Sequence, residues 1–342
     1  MTEFLEREPP ETASPTSRRR LGRLARVGCL VTLLPPLACL CGLLWLATRE
    51  EPDVFDTQEA SRIAYSPLEQ LVPGPALPDS LEVKGSNNNV DVAHFEERFF
   101  LAFRTAPTHF ASEITRIYLL SSADRKTWTQ EAEFHVGQSD LREPRFLSFK
   151  GKLFLYFFRA GHNPVRFEPD FIYVSERGAD SAWSAPKPIF EKGYVDWRVK
   201  EHNGLAYMSV YKGEGIYTTK QRPGEVRLLT SEDGYDWKPL SEAPQVTDPG
   251  AEEMEFAFDN EGNLVATVRL EVKGGLVCTA SKDDLSAWTT RFTPYKYDSA
   301  LMLTHGDDFY VVARRNVAGP FNRGLDWLPE RWQRAWYLFR YS

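Results

Sequence analysis

Four tryptophans divide most of this chain into similar lengths, and the intervals contain only short runs typical of β-strands. By subtraction of their positions, Trp128, Trp183, Trp237 and Trp288 are separated by 55, 54 and 51 residues. Apolar or alternating runs such as RFFLAFR, KLFLYFF, LAYMSVY and NLVATVRL lie among them, and such runs are typical of strands. A repeat of about fifty residues built only from strands predicts an all-β fold in which sheets form the blades of a β-propeller.

Five groups of strands follow one another along the chain. The groups begin near Asn87, Asp140, Val195, Ala251 and Asp298. This order predicts five blades, with Leu81–Lys84 or the terminal run WYLFRY as a further strand that closes the ring. Six blades are the alternative, and a sixth would need residues from the preceding linker or from 314–342.

A short polar stretch that ends in tryptophan occurs as SEDGYDW at 231–237, and looser copies read SADRKTW and SKDDLSAW. In a tight turn between outer strands, the carboxylate of Asp233 can accept backbone N–H bonds and Gly234 can take a positive φ. The stretch resembles the Asp-box of the sialidase superfamily, and related stretches occur in five-bladed glycoside hydrolases of the arabinanase and invertase type. The resemblance implies a structural role away from the active site.

The first strand of each propeller blade lies nearest the central axis, so its leading residues converge on one cavity. Each leading stretch here contains at least one carboxylate. These acids are Asp91, Asp140, Glu143, Asp196, Glu252, Glu253, Glu255 and Asp298. The arginines that accompany them are Arg104, Arg142, Arg145, Arg198, Arg269 and Arg314. We predict one charged pocket in which some groups pair and others bind a ligand, and a purely structural ion network is the alternative.

Cleavage of a glycosidic bond needs one carboxyl group that stays protonated and a second that stays ionised. A cavity with several acids and arginines provides both environments. Glu143 precedes Pro144, and a residue before proline favours extended backbone. We therefore expect Glu143 to be a firmly positioned catalytic candidate.

Two segments resemble catalytic parts of sialidases. AEEMEFAFDNEGNLVATVRLE is similar to the segment in which a glutamate precedes a strand that ends in a substrate-binding arginine, which implies those roles for Glu255 and Arg269. KYDSALMLTHGDDFYVVARR is similar to the stretch with the nucleophilic tyrosine, which implies Tyr297 activated by Glu255. The same resemblance implies Asp91 as the acid/base and Arg314 as another carboxylate-binding arginine.

The first blade departs from the sialidase pattern, because it has no Arg-Ile-Pro and Arg104 is displaced from that position. The residues that we predict to bind substrate are Arg104, Arg142, Asp196, Arg198, Arg269, Asp298 and Arg314.

A second resemblance gives different roles. LREP on the second blade is similar to the Arg-Asp-Pro stretch of invertase-type enzymes. It implies Asp91 as nucleophile or base, Glu143 or Asp140 as an orienting carboxylate, and Glu255 or Glu253 as the acid.

Several other functions are disfavoured. The formal net charge of −7 without a basic stripe argues against nucleic-acid binding. We find no Gly-rich phosphate loop or dinucleotide fingerprint, so we expect no nucleotide and no cofactor. The spacing of His94, His109 and His162 matches no zinc pattern, so we expect no metal.

The amino-terminal segment predicts a membrane anchor. Between Arg26 and Arg49 lie 22 residues without a charge, enough to cross a hydrocarbon layer as a helix. Arginines before the segment place that side in the cytoplasm. A cleaved signal peptide or a lipoprotein site at Cys39 is the alternative. The predicted parts are a disordered basic tail at 1–26, a transmembrane segment at 27–48, a linker at 49–80 and the propeller at 81–342.

The sequence thus predicts a membrane-anchored glycoside hydrolase outside the cytoplasm, at the cell surface or in the periplasm, that is exo-acting on an anionic sugar such as sialic or uronic acid. A non-catalytic propeller that binds carbohydrate or docks a protein is the main alternative, because one fold supports many functions. A transferase or lyase that uses the same cavity is a third.

Overall fold

The computed structural model describes residues 35–45, 66–213, 216, 223–272, 274–314 and 328–341. The chain divides into two compact units, 1–55 with 316–325 and 56–315 with 326–342. In the first unit, the described residues form helix α1 at 35–45. No helix within the described ranges is both long enough and apolar enough to span a membrane. Half of the predicted transmembrane segment 27–48, residues 27–34 and 46–48, lies outside those ranges.

The second unit contains five antiparallel sheets, and the strands of each sheet follow chain order. Sheet 1 comprises β1 (Ser86–Phe95), β2 (Arg98–Ala106), β3 (Arg116–Ser122) and β4 (Thr129–Phe134). Sheet 2 comprises β5 (Ser139–Phe149), β6 (Lys152–Gly161), β7 (Pro169–Glu176) and β8 (Lys187–Ile189). Sheet 3 comprises β9 (Tyr194–His202), β10 (Leu205–Lys212), β11 (Val226–Ser231) and β12 (Lys238–Pro239). Sheet 4 comprises β13 (Ala251–Phe258), β14 (Leu264–Leu270), β15 (Gly275–Ser281) and β16 (Asp284–Thr293). Sheet 5 comprises β17 (Asp298–His305) and β18 (Asp308–Arg314).

The five predicted group starts each fall within one residue of the first strand of a sheet. The prediction of an all-β chain built from repeated antiparallel sheets is therefore confirmed. The number of blades stays a prediction, because residues 315–327, which follow β18, lie outside the described part of the chain.

Tight turns connect the first and second strands at what we call the hairpin end of the sheets. Left-handed backbone occurs there at Asn203 with φ 52° and at Gly204, Gly262 and Gly306. Two-residue hairpin turns need this conformation because it matches the twist of the strands. The first strand of every sheet therefore begins at the opposite end, which we call the leading end.

Apolar side chains alternate along the strands and fill the spaces between sheets. Phe100 and Ala102 of β2 pack against sheet 2, and a large cluster of buried side chains joins sheets 2, 3 and 4. The intervening residues Leu101 and Phe103 point to the other face of sheet 1, where residues 71–83 cover them.

The segment 71–83 is fixed to sheet 1 although it contains no strand. The backbone N–H of Trp128 donates to the Ala76 carbonyl at 3.3 Å, and the backbone N–H of Glu82 donates to the Tyr118 hydroxyl at 3.1 Å. Part of the predicted linker 49–80 is thus packed against the core of the second unit.

The Asp-box turn has the predicted geometry. The Asp233 carboxylate accepts the N–H groups of Tyr235 and Asp236, both at 2.8 Å, and these bonds lower its pKa. Gly234 has φ 83°, and the indole of Trp237 donates to the Gly234 carbonyl at 3.2 Å. The turn follows Ser231, which pairs with Ala206 near the hairpin end, so it lies away from the leading end.

The terminal run WYLFRY is not a strand, and this prediction was wrong. It belongs to helix α2 (Glu330–Tyr341). Arg334 is buried on one side of the helix and pairs with Glu271 at 2.5 Å, whereas Trp332 is exposed. An aromatic-rich run favours a strand locally, but the side chains described at 330–336 are buried on one side of the helix, which is typical of a surface helix.

Candidate functional site

The first strand of every sheet has an irregularity at the same point near the leading end. The register of pairing with the second strand shifts between Asn88 and Asp91, Arg142 and Arg145, Asp196 and Arg198, Glu252 and Glu255, and Asp298 and Leu301. Such β-bulges insert extra residues into one strand and redirect its side chains. We call Asn89, Glu143, Trp197, Glu253 and Ser299 the bulge residues.

Four of the five bulge residues have left-handed backbone although none is glycine. Their φ angles are 48° for Asn89, 52° for Glu143, 48° for Glu253 and 52° for Ser299. The expectation of extended backbone at Glu143 was therefore wrong, because the bulge sets the conformation of this residue despite Pro144. Non-glycine residues with such angles are uncommon and concentrate at functional sites.

The residues just after the bulges meet near one axis. Arg198 of β9 contacts the Glu255 carboxylate at 2.5 Å and the Asp91 carboxylate at 3.4 Å. The same guanidinium donates to the Ala300 carbonyl at 3.3 Å. Side chains and backbone from sheets 1, 3, 4 and 5 therefore meet at Arg198.

Glu255 is fully buried and compensated by two cations. Besides Arg198, the Lys200 ammonium lies 2.7 Å from its second carboxylate oxygen. Lys200 also donates to the Phe256 carbonyl at 2.6 Å and to the Met302 carbonyl at 2.9 Å. Glu255 thus belongs to a paired ion network that holds three sheets together.

Tyr297 and Glu255 are not joined by a hydrogen bond in the described residues. The Tyr297 ring packs edge-on against Tyr295, with 6.4 Å between centroids. The nucleophile and activating carboxylate implied by the sialidase resemblance therefore do not form a contact pair here.

Glu143 is held at both carboxylate oxygens. Asn89 donates to Oε1 and Arg145 pairs with Oε2. Arg145 is itself fixed, because it donates to the Trp197 carbonyl at 2.5 Å and to the Val90 carbonyl at 3.4 Å. Burial raises the pKa of Glu143 although the Arg145 charge opposes the shift, so the protonated form is favoured relative to an exposed glutamate.

Asp91 and Asp196 differ in their partners. Asp91 is partly exposed, and its carboxylate accepts the Phe146 N–H at 2.7 Å in addition to the Arg198 contact. Asp196 is fully buried, and within the described structure neither of its carboxyl oxygens has a hydrogen-bond partner. Burial raises the pKa of Asp196 well above its usual range, with Arg145 opposing the shift. Burial therefore favours the protonated form of Asp196.

A second charged group surrounds Arg269 on β14. Its guanidinium contacts Asp298 at 2.9 Å and Glu252 at 3.5 Å, and it also pairs with Glu253. The Ser299 N–H donates to the Glu253 carboxylate at 3.1 Å. Arg269 and the bulge of sheet 5 therefore hold Glu253 by a cation and a backbone donor.

Lys296 and Glu252 share this buried environment. The Lys296 ammonium lies 3.6 Å from the Asp298 carboxylate. Burial lowers the pKa of Lys296 and raises the pKa of Glu252. The buried environment therefore favours the neutral form of each group.

Arg104 is buried against Asp140 with 2.9 Å between charged atoms, and neither side chain is exposed. Arg142 approaches the other oxygen of Asp140 at 2.5 Å and donates to the His109 carbonyl at 2.6 Å. Burial lowers the pKa of His109 to about 4, and the charges of Arg142, Arg104 and Arg314 add to this shift. The predicted arginines 142 and 314 thus flank a neutral imidazole.

Three histidines connect successive loops around the leading end. The hydrogen-bonded pairs are His109 with the Asn88 side chain at 3.0 Å, His135 with the Thr115 carbonyl at 2.9 Å, and His162 with the Gln138 carbonyl at 2.9 Å. These contacts tie the loops of sheets 1 and 2 to one another. Within the described residues, no cluster of histidine, cysteine and carboxylate side chains has the composition of a metal site.

Sequence reasoning missed Asn89, Ser299, Lys200 and Lys296. The sequence did contain a signal for the bulges. Charged residues on the same strand are separated by three positions rather than two, as Arg142 and Arg145 of β5 are. Regular strands repeat on one face every two residues, so a spacing of three indicates inserted residues.

No protein-family model matches the chain, and no curated protein matches it. Among solved structures, Trypanosoma rangeli sialidase in complex with sialic acid aligns with a TM-score of 0.51 and 16% identity, covering 66% of this chain and 43% of that one. A mutant of Trypanosoma rangeli sialidase displaying trans-sialidase activity aligns with a TM-score of 0.50, 16% identity and the same coverage. Hadza microbial sialidase Hz136 gives 0.49 and 13%, covering 64% of this chain and 50% of that one.

This chain therefore spans less than half the length of the Trypanosoma rangeli structures that it matches. Its fold is that of the sialidase-like β-propellers.

Proposed function

We propose that this protein is a glycoside hydrolase that removes an anionic sugar from the end of a glycan, with Glu143 and Glu253 as its working carboxyl groups. In this proposal Glu143 is the acid that protonates the departing oxygen, and Glu253 is the ionised partner. The observation that carries the proposal is the pair of acids on equivalent bulges, one favoured in its protonated form and the other held by Arg269. Hydrolysis of a glycosidic bond uses two carboxyl groups in such different environments.

The electrostatics of the two acids support their proximity. The charge of Glu253 raises the pKa of Glu143, in addition to the larger effect of burial. Glu143 and Glu253 keep 8% and 6% of their exposure, whereas Glu255 keeps none, so in this proposal the two bulge acids line the sugar-binding cavity.

The contacts favour Glu143 and Glu253 over the pair implied by the sialidase resemblance. Glu255 is compensated by Arg198 and Lys200, and Tyr297 packs on Tyr295 instead. In this proposal Asp91 and Glu255 fix Arg198, while Arg142 and Arg314 attract the anionic group of the sugar.

The preference for an anionic sugar is supported by the charges near His109. Arg142 keeps 11% of its side-chain exposure, whereas Arg104 is enclosed with Asp140. A guanidinium offers planar paired donors that match a carboxylate. Sialic acid is the ligand named for one Trypanosoma rangeli sialidase structure of this fold, and a uronic acid has the same charged group.

The second candidate function is glycan binding without cleavage. It is favoured by the paired network of Asp91, Arg198, Glu255 and Lys200, whose charges are already compensated. A propeller with this network alone would be a rigid binding surface.

We also propose that residues 27–48 anchor the protein in a membrane, with 1–26 in the cytoplasm and the propeller outside. The uncharged run and the arginines before it support this arrangement. Protease treatment of intact cells that express the full chain should remove the propeller, whereas full protection would contradict the orientation.

The activity is tested on the full chain in detergent with fluorogenic sialosides and uronides. Glu143→Gln and Glu253→Gln should each lower turnover by about 10²- to 10⁴-fold. Glu261→Gln changes an exposed carboxylate in the β13–β14 turn and should leave turnover unchanged. Glycan binding without release by the wild-type protein would favour the second candidate. Unchanged turnover in Glu143→Gln would contradict the assigned acid.

A further inference from the structure

We propose that Asn89 is a positioning residue for Glu143 and that its side-chain amide stabilises both protonation states of this carboxyl group. The inference rests on the proposed function, because it concerns the acid assigned there. It adds a residue from sheet 1 to a reaction otherwise assigned to sheets 2 and 4.

Asn89 and Arg145 restrict the Glu143 carboxyl group from two sides. The Asn89 Nδ2 donates to Oε1, across the space between the first strands of sheets 1 and 2. Arg145 holds Oε2 from the strand of Glu143 itself. Each oxygen therefore has its own donor, so the plane of the carboxyl group is fixed.

The oxygen of the Asn89 side-chain amide provides the second observation. Its Oδ1 is buried and accepts no hydrogen bond in the described structure. A side-chain amide carries two donors on nitrogen and an acceptor on oxygen. A half-turn about the last torsion therefore exchanges a donor for an acceptor at the same place.

This exchange matches the needs of an acid that gains and loses a proton. When Glu143 is ionised, Oε1 accepts a hydrogen bond from Nδ2. When Oε1 carries the proton, it becomes a donor, and the turned amide accepts with Oδ1. In the cleavage step the O–H bond of Glu143 breaks, a new O–H bond forms on the departing oxygen, and that oxygen keeps the electron pair of the C–O bond. The oxygen of a water molecule forms the new bond to the sugar carbon, and the proton that this water loses passes to the Glu253 carboxylate. The amide then turns back to donate to the Glu143 carboxylate.

The backbone at Asn89 is left-handed, with φ 48°. Asparagine adopts this conformation more readily than most residues other than glycine, and glycine adopts it without strain. Asn203 provides a matched control, because it has φ 52° in the turn between β9 and β10. There the exposed amide contacts only the neighbouring His202 at 3.0 Å.

The experiment compares Asn89→Gly with Asn203→Gly in the full chain, since both changes remove an amide and relieve left-handed backbone. Labelling of Glu143 by a carbodiimide and an amine, followed by mass spectrometry across pH, reports its protonation without any substrate. Glu143→Gln identifies the labelled position. Turnover of the glycoside found in the panel is measured in parallel.

We expect Asn89→Gly to lower kcat by about 10- to 100-fold, because the Glu143 carboxyl group is no longer held in one orientation. KM should change by less than about two-fold. The carboxyl group should also be labelled several-fold faster, with its pH midpoint moved by less than about half a unit, because both protonation states lose the same partner. Asn203→Gly should match the wild-type protein in every measurement.

Equal turnover and equal labelling in Asn89→Gly and Asn203→Gly would overturn the proposal. A midpoint that rises by about one unit or more would also overturn it, because the amide would then stabilise only the ionised form. If the wild-type protein cleaves no glycoside, the proposed hydrolase activity fails separately. The labelling rates and midpoint still decide the role of Asn89 in that case.

Discussion

Two neighbouring levels near the leading ends of the first strands use the same residue types in different ways. At the level after the bulges, acids alternate with cations, as Asp91 and Glu255 do around Arg198. At the bulges, the charge of one acid acts on another, as that of Glu253 does on Glu143. The first level connects sheets through shared ion pairs, whereas at the second each acid has its own arginine, Arg145 for Glu143 and Arg269 for Glu253. Under the proposed function, the carboxylates at the bulges are reactive and those after the bulges are structural.

Arg198→Met should have the largest effect, because it leaves the buried Glu255 with one cation fewer and removes the contact with Asp91. Loss of one partner from a buried ion pair costs about 3–5 kcal/mol, and urea unfolding measures this change. Lys238→Met removes an exposed ion pair with Asp236 and should be indistinguishable from the wild-type protein. If Arg198→Met lowers the free energy of unfolding by less than about 1 kcal/mol, the ion pairs after the bulges do not stabilise the fold as we expect.

Asp196→Asn should change how stability depends on pH. Burial raises the pKa of Asp196 in the folded protein. At pH values above about 3.9, the pKa of an ordinary aspartate, the unfolded chain has lost this proton while the folded protein still binds it. Above that value, stability falls by up to about 1.4 kcal/mol per pH unit until the folded pKa is reached.

Asparagine carries no such proton, so the variant should gain stability relative to the wild-type protein as pH rises from about 4 to 7. Urea unfolding at three pH values measures the gain. A constant difference between the two proteins across this range would contradict a neutral Asp196.

Glu253→Gln and Glu255→Gln compare the two levels directly. Removal of the Glu253 charge should lower the pKa of Glu143, because that charge raises it now. Carbodiimide labelling across pH measures the shift. Glu255→Gln should reduce stability and leave the Glu143 midpoint in place. The reverse result would exchange the roles of the two levels.

The smallest effects should come from the Asp-box turns, which lie away from both levels. Arg125 has φ 62° at the position that corresponds to Gly234. Arg125→Gly should therefore raise the free energy of unfolding by about 1 kcal/mol or less, because relief of left-handed strain outweighs the added freedom of the unfolded chain. Gly234→Ala should lower it, since the added Cβ would lie 2.9 Å from the Phe154 ring. Thermal unfolding checks both signs, and neither variant should change turnover.

The sheets could be predicted from sequence because their signals are local. Tryptophan spacing and apolar alternation depend on neighbours in the chain, and they located the start of every sheet to within one residue. The Asp233 turn was equally readable, since its hydrogen bonds join residues at most three apart.

The arrangement of the site depends on contacts between sheets, and these are not visible in local patterns. Glu255 was chosen from a resemblance, yet its state is set by Arg198 and Lys200 from another sheet. Asn89 gained importance only through Glu143, which lies 54 positions further along the chain. The helix α2 was missed because its aromatic residues favour strands, while the burial of Arg334 against Glu271 depends on tertiary packing.

The packing of residues 71–83 on sheet 1 affects where the propeller can be separated from the rest of the chain. This segment shields Leu101, Phe103 and Tyr118 from water. A truncated protein that started at Leu81 would expose that surface and tend to aggregate. Fragments intended for purification should therefore start upstream of Leu71, so that the first sheet keeps its cover.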